Sequence, residues 1–264
     1  MTGGMGHMTS DAWPAGVPCW TDLMVPDPDA VRPFYDAVLG WTLTEPDEQF
    51  GGYVMALKDG APAAGVGPLR EGSRSAWTMY FAVDDADAVA AATRAAGGTV
   101  FADPMDVGDL GRMFVGADPT GAVFGVWQAG SFSGAAVTNQ PGGLMWEDLR
   151  CTDPGSARQF YAAVFGFDYH EMDMETPQDY MVFTLPGTDR PLGGMGGLDP
   201  NAESVASHWS VTFAVADADA SVAAATTNGG AVPIPPFDSP YGRMAGLTDP
   251  AGAPFWIIQP ARQT

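Results

Sequence analysis

Two short patterns hold residue types that could do chemistry: Trp20-x-Asp22 and, 126 positions later, Trp146-x-Asp148. Both fall in strand-like runs, where residues two apart share a face, so each carboxylate stands beside an indole. An apolar setting disfavours the charged carboxylate and raises its pKa towards values useful for taking and returning a proton. Asp22 and Asp148 are therefore candidate general bases or ligand anchors. The competing assignment is a structural carboxylate bonded to Arg32, Arg158, a backbone amide or the other half of the chain.

The elements that position these residues come from a duplication. The second half restates the first with a shift of 126 to 132 residues: FYDAVLGW from Phe34 returns as FYAAVFGF from Phe160, FAVDDADA from Phe81 as FAVADADA from Phe213, and DPTGA from Asp118 as DPAGA from Asp249. Within the first half, Val17 to Val25 reads as a strand, and Asp27 caps a helix whose apolar residues Val31, Phe34, Tyr35, Val38 and Leu39 follow the helical period. Gly40 ends it. Strands follow near Trp41 to Thr44, Tyr53 to Leu57 and Ala63 to Val66, and then the order repeats. The strand Trp77 to Val83 and a helix over about Asp85 to Ala96 precede strands near Thr99 to Ala102, Arg112 to Ala117 and Val123 to Gln128.

A βαβββ module thus occurs four times. The expected organisation is a tag-like or disordered start over 1–15, a first domain over 16–128, a Gly/Ser-rich linker over 129–142 and a second domain over 143–260.

Composition narrows the function. With 46% apolar residues the chain can build two cores, so disorder is not expected. Thirty-two acidic against 11 basic residues give a formal charge of −21, which repels nucleic acid and anionic membranes alike. No run approaches the roughly 20 apolar residues of a membrane helix, and no export signal is evident, so a cytoplasmic location is expected. Cys19 and Cys151 read as small buried hydrophobes. No phosphate-cradling glycine loop or serine-nucleophile elbow is present. In the DPTGA and DPAGA turns, Asp118 and Asp249 are expected to bond the backbone.

Paired βαβββ modules, with FYxxVLGW closing the first helix and DPTGA leading into the last strand, resemble the vicinal oxygen chelate superfamily, which includes glyoxalases, bleomycin-resistance proteins and dioxygenases. The tandem form with WxDL early in each half is similar to actinobacterial glyoxalase-like proteins. The resemblance implies an α+β fold in which four modules form two homologous, cup-shaped, eight-stranded domains with helices outside and chemistry within the cups. It also implies a divalent metal held by His, Gln or Glu at fixed strand positions. Here those positions carry Trp20, Thr78 and Gly125 in the first half and Trp146, Ser210 and Trp256 in the second, so no metal or other cofactor is expected.

Strand parity then assigns to the cups Trp20, Asp22, Thr78, Tyr80 and Trp127, and Trp146, Asp148, His208, Ser210, Thr212 and Trp256. Indole-lined cups suit a flat, partly apolar organic ligand. Asp148, Asp22 and His208 are the catalytic candidates; Trp20, Tyr80, Trp127, Trp146, Ser210 and Trp256 are the substrate-binding ones. Arg112 and Arg243 either reach into the cup mouths or pair with carboxylates. The expected activity is metal-independent proton transfer of the isomerase, lyase or cyclase type on a small organic molecule. The alternatives are sequestration of a drug or metabolite without turnover, and a rearranged metal set of Glu147, Asp148 and His208. Either a monomer or a homodimer fits a chain that already contains two halves.

Overall fold

The computed structural model describes residues 12–70, 72–172, 179–199 and 205–261. In the first half, β1 (Pro18–Val25), α1 (Pro28–Leu39), β2 (Thr42–Leu43), β3 (Val54–Lys58) and β4 (Ala61–Pro68) make one module. The next comprises β5 (Ala76–Ala82), α2 (Ala86–Ala95), β6 (Thr99–Val100), β7 (Met105–Val107), β8 (Gly111–Ala117) and β9 (Val123–Ala129). Together they form one sheet in the order β2-β3-β4-β1-β5-β9-β8-β6, with β7 paired to β8 as a ninth strand that the sequence does not announce.

The second half repeats the plan with β10 (Leu144–Cys151), α3 (Pro154–Phe165), β11 (Asp168–Glu171), β12 (Met181–Thr184) and β13 (Pro191–Gly197), followed by β14 (His208–Ala214), α4 (Ala218–Thr227), β15 (Ala231–Ser239), β16 (Gly242–Thr248) and β17 (Pro254–Pro260). Its order is β11-β12-β13-β10-β14-β17-β16-β15. In both sheets the first strands of the two modules run antiparallel side by side, β1 with β5 and β10 with β14. The two Trp-x-Asp pairs therefore stand at the centre of their sheets.

Local chemistry sets the helix ends. The Asp27 side chain accepts the Asp29 backbone N–H, and Gly40 takes the left-handed conformation at φ 68°. The buried face of α1 is Val31, Phe34, Tyr35, Val38 and Leu39, the set given by the helical period. Asp118 and Asp249 each accept two backbone N–H groups in the DPxG turns.

The helices pack away from the cups, and each reaches across to the other half. The Tyr35 hydroxyl on α1 donates to Asp249 Oδ2 at 2.9 Å, and the Phe34 ring meets Phe255 edge-on at 6.1 Å. On α3, Phe160 meets Phe124 at 5.8 Å in the same way. One apolar cluster consequently runs through both halves, from Leu23 and Trp41 to Phe213 and Ile257. Burying that aromatic surface is the main force joining the two sheets. Cys19 and Cys151 are buried free thiols; burial pushes the Cys151 thiol up to about 11 and the Cys19 thiol higher still. No described helix is long and apolar enough to cross a membrane.

Candidate functional site

The two cups share a framework but differ in filling. In the second, the row across β10, β14 and β17 reads Trp146, Thr212, Trp256, since Trp146 pairs with Thr212 and Thr212 with Trp256. Two indoles thus flank a small side chain, roughly 10 Å apart at the usual strand spacing. In the first cup the corresponding row is Trp20, Tyr80, Gly125. Here the ring is central, and a Cβ added to Gly125 would lie 2.1 Å from the Tyr80 ring, so Tyr80 occupies the floor that Thr212 leaves open.

The segment after β9 completes the closure of the first cup. Phe132 enters it, meeting Trp20 edge-on at 5.0 Å and Trp127 at 6.0 Å, while its carbonyl accepts the Trp127 indole N–H at 2.8 Å. Backbone bonds from Gly130 and Phe132 to Leu110, and from Ala135 to Cys19, hold the segment down. Trp20, Tyr80 and Trp127 are therefore buried together with Phe132 rather than presented to a ligand, which corrects the expectation that they bind substrate.

Asp22 is sealed in the same cluster. Its carboxylate accepts the Trp20 indole N–H at 2.7 Å and the Tyr53 hydroxyl. Burial pushes its pKa up, partly opposed by hydrogen bonds from Tyr53, Tyr80 and Trp20. Desolvation and the neighbouring carboxylate hold Tyr53 and Tyr80 well above the ordinary tyrosine value, so both remain donors. Asp22 is buried and does not line the open cavity, so catalytic use of Asp22 does not fit the geometry.

The second cup is open. A cavity of about 1190 Å³ is lined by Trp146, Asp148, His208, Ser210, Thr212 and Trp256, with Tyr180, Phe237, Tyr241 and Trp13 adding aromatic surface. At the centre, Asp148 Oδ1 accepts the Tyr180 hydroxyl at 2.7 Å and the Trp146 indole N–H at 3.2 Å. Burial and Asp148 raise the Tyr180 pKa, which keeps the phenol protonated as a donor. Gly194 makes this contact possible, because a Cβ there would lie 1.8 Å from the Tyr180 hydroxyl; Gly65 does the same for Tyr53 at 1.6 Å. The tyrosines were missed in the sequence, although Tyr53 and Tyr180 repeat at a spacing of 127 residues and could have been found.

The remaining candidates fall into different places. Ser210 lies opposite Asp148 and its hydroxyl donates to the Asp148 carbonyl at 3.3 Å. His208 lines the cavity opposite Arg150, with Nδ1 2.9 Å from the Ala206 carbonyl, and it makes no hydrogen bond with Asp148. Asp148 and His208 thus line one cavity without bonding to each other. Arg112 and Arg243 do not line the cavity: Arg112 pairs with Asp87 and Asp106, and Arg243 with Asp219 and Asp238. In a chain this acidic, guanidinium groups beside helical carboxylates are drawn to them rather than into a cup. The flexible start expected over 1–15 lies outside the described residues for 1–11, whereas Trp13 packs beside the first cup and lines the second.

The donor set does not suit a divalent ion. The positions that the resemblance assigns to ligands carry indoles, hydroxyls and a glycine, and the Ser210 hydroxyl is already engaged. Among the described residues no three His, Cys, Asp or Glu side chains gather around one point. Glu147 faces the opposite side of β10 from Asp148 and is buried, so it cannot join Asp148 and His208 as the rearranged set requires. Desolvation, with Asp148 adding to it, pushes the Glu147 carboxyl well above its usual value.

Residues 20–127 match the family described as the glyoxalase-like domain, and residues 143–257 match the glyoxalase/bleomycin resistance protein/dioxygenase superfamily. The chain is 40% identical over 255 residues to the putative glyoxylase CFP32 of Mycobacterium tuberculosis (strain CDC 1551 / Oshkosh), covering 94% of this chain and 96% of that protein. It is likewise 40% identical over 263 residues to the anthracycline biosynthesis protein DauV of Streptomyces sp. (strain C5), covering 92% of this chain and 93% of that one. Among solved structures, the Mn(II)-bound glyoxalase from Novosphingobium aromaticivorans superposes with a TM-score of 0.66 at 16% identity, over 93% of this chain and 82% of that one.

Proposed function

Since this chain belongs to the glyoxalase/bleomycin resistance protein/dioxygenase superfamily, we propose that its second cup takes a flat, polycyclic aromatic molecule of natural-product metabolism and moves a proton on it without a metal ion. The observation that carries this reading is the open cavity around Trp146, Asp148 and Tyr180, set against a first cup closed by Tyr80 and Phe132. The likeness to an anthracycline biosynthesis protein supports the substrate class.

Trp146 and Trp256 would embrace the ring system across Thr212, and the wall would exclude water from its faces. Asp148 is the base. It takes a proton from carbon next to, or conjugated through a ring with, a carbonyl, the electron pair of the broken C–H bond moves onto the carbonyl oxygen, and the proton returns at the same or a conjugated carbon. Tyr180 and the Trp146 indole hold the carboxylate in position with two hydrogen bonds. One ligand per chain is expected, because the second cup has room whereas Tyr80 and Phe132 fill the first.

Deuterium exchange tests the reading. With anthrone, a flat ketone with an acidic CH2 group, in D2O under nitrogen, EDTA-treated protein should speed incorporation at that carbon. The variant Asp148→Asn should lose about 100-fold or more of that acceleration, the scale of a lost general base. Loss of exchange on chelation would overturn the metal-free mechanism. Saturable binding with no exchange would instead assign the cup to sequestration.

A further inference from the structure

The charged residues of the second cup define its ligand more closely. Of the ten described basic side chains, six lie in ion pairs with Asp: Arg32, Lys58, Arg94, Arg112, Arg158 and Arg243. The other four are Arg70 and Arg74, exposed in the loop between β4 and β5, and Arg150 and Arg190, which both line the cavity. In a chain of net charge −21, two of these four guanidinium groups, unpaired among the described residues, open on one cavity.

Their positions agree with a binding role. On β10, Trp146, Asp148 and Arg150 share the cup face, and Arg150 lies roughly 13 Å along the strand from Trp146. Its guanidinium stands over the Tyr180 ring, 4.9 Å from the centroid, and so is steered without being neutralised. His208 pairs with it across the sheet and lines the same end of the cavity. The first cup carries no such groups: Met24 stands two residues after Asp22, as Arg150 stands after Asp148, and Ala61 stands four before Gly65, as Arg190 does before Gly194. The cup that is filled lacks the cations, and the cup that is open has them.

We propose that the ligand carries an ionised oxygen group, a carboxylate or acidic phenolate, at the end of its ring system away from Trp146, and that Arg150 receives it. The proposal rests on the aromatic-cup reading above. Asp148 and Asp199 also line the cavity, and the acidic surface beyond repels anions. Local cations are what would make an anionic guest acceptable. A guanidinium discriminates such a group from a neutral isostere, because removing the charge leaves its donors with a weaker acceptor.

The test compares anthraquinone-2-carboxylate with anthraquinone-2-carboxamide, probes alike in shape and different in charge, by tryptophan quenching and calorimetry. The full-length protein should bind the carboxylate at least about tenfold more tightly, as expected for charge-assisted hydrogen bonds, and that preference should shrink as salt rises. Arg150→Gln should remove most of the preference while leaving carboxamide affinity within about twofold, which also reports an intact fold. Arg190→Gln should leave the preference within about twofold, because the parallel register places Arg190 level with Leu144, beyond Trp146 from Arg150. Equal affinity of the two probes for the unaltered protein, or an undiminished preference in Arg150→Gln, overturns the proposal and leaves the aromatic cup standing. Binding of neither probe overturns the aromatic-cup reading and this inference with it.

Discussion

Phe132→Ala separates the two cups. In the folded protein this ring touches Trp20 at 5.0 Å and Trp127 at 6.0 Å, both edge-on, and the main chain around it is bonded to Leu110. Truncating a fully buried phenylalanine costs about 3–5 kcal/mol, with each aromatic edge contact contributing about 0.5–1.5 kcal/mol. Phe132 is only partly buried, which places the loss nearer to about 2–3 kcal/mol. For a chain of this size each kcal/mol lowers Tm by about 2–4 °C, so scanning calorimetry should find a fall of about 4–12 °C. The vacated space is walled by two indoles and remains apolar, and a small aromatic should refill it. Saturating benzene should restore part of the lost Tm in the variant and leave the parent protein unchanged. A fall below about 1 °C, or no rescue by benzene, would refute the reasoning that this ring closes the first cup.

Other perturbations test separate parts of the structure. Glu147 is buried with its pKa raised by desolvation, so the native state holds its proton more tightly than the unfolded chain. Its contribution is complete below the unfolded value near 4.5 and is lost as pH rises towards the native value. Glu147→Gln, which keeps the neutral form, should match the parent near pH 4.5 and exceed it increasingly towards pH 8, by an amount on the order of 1–3 kcal/mol in urea titrations. Equal stability at pH 8 would count against a buried neutral carboxyl. Tyr35→Phe removes the bond to Asp249 between the halves and should cost about 1–2 kcal/mol in the same assay; no loss would mean that the bond is not formed. Gly194→Ala puts a Cβ where the Tyr180 hydroxyl lies and should displace that ring from Asp148, slowing anthrone exchange at an unchanged overall fold by far-UV circular dichroism. Undiminished exchange would remove Tyr180 from the site.

Much of the architecture was legible because it is written in local signals. The helical period gave the buried face of α1, the Asp caps and Gly40 gave its ends, and the DPxG turns gave the entries to β9 and β17. The repeat showed that whatever holds for one half has a counterpart in the other. Strand parity placed Trp146, Asp148, His208, Ser210 and Trp256 around one cavity, since alternation depends only on being in a strand.

The sequence by itself determined the modules, their duplication and the side of each strand that faces a cup. Only the tertiary structure decided which cup is open. That outcome depends on a ring carried by β5 rather than β17, and on a segment that folds back over 100 positions from Trp20 to lay Phe132 beside it. It also decided which arginines are consumed by surface carboxylates and which face the cavity, and that α1 and α3 bury themselves against the opposite half. These are matters of which distant groups come within a few ångströms of one another, and neither periodicity nor spacing along the chain encodes that.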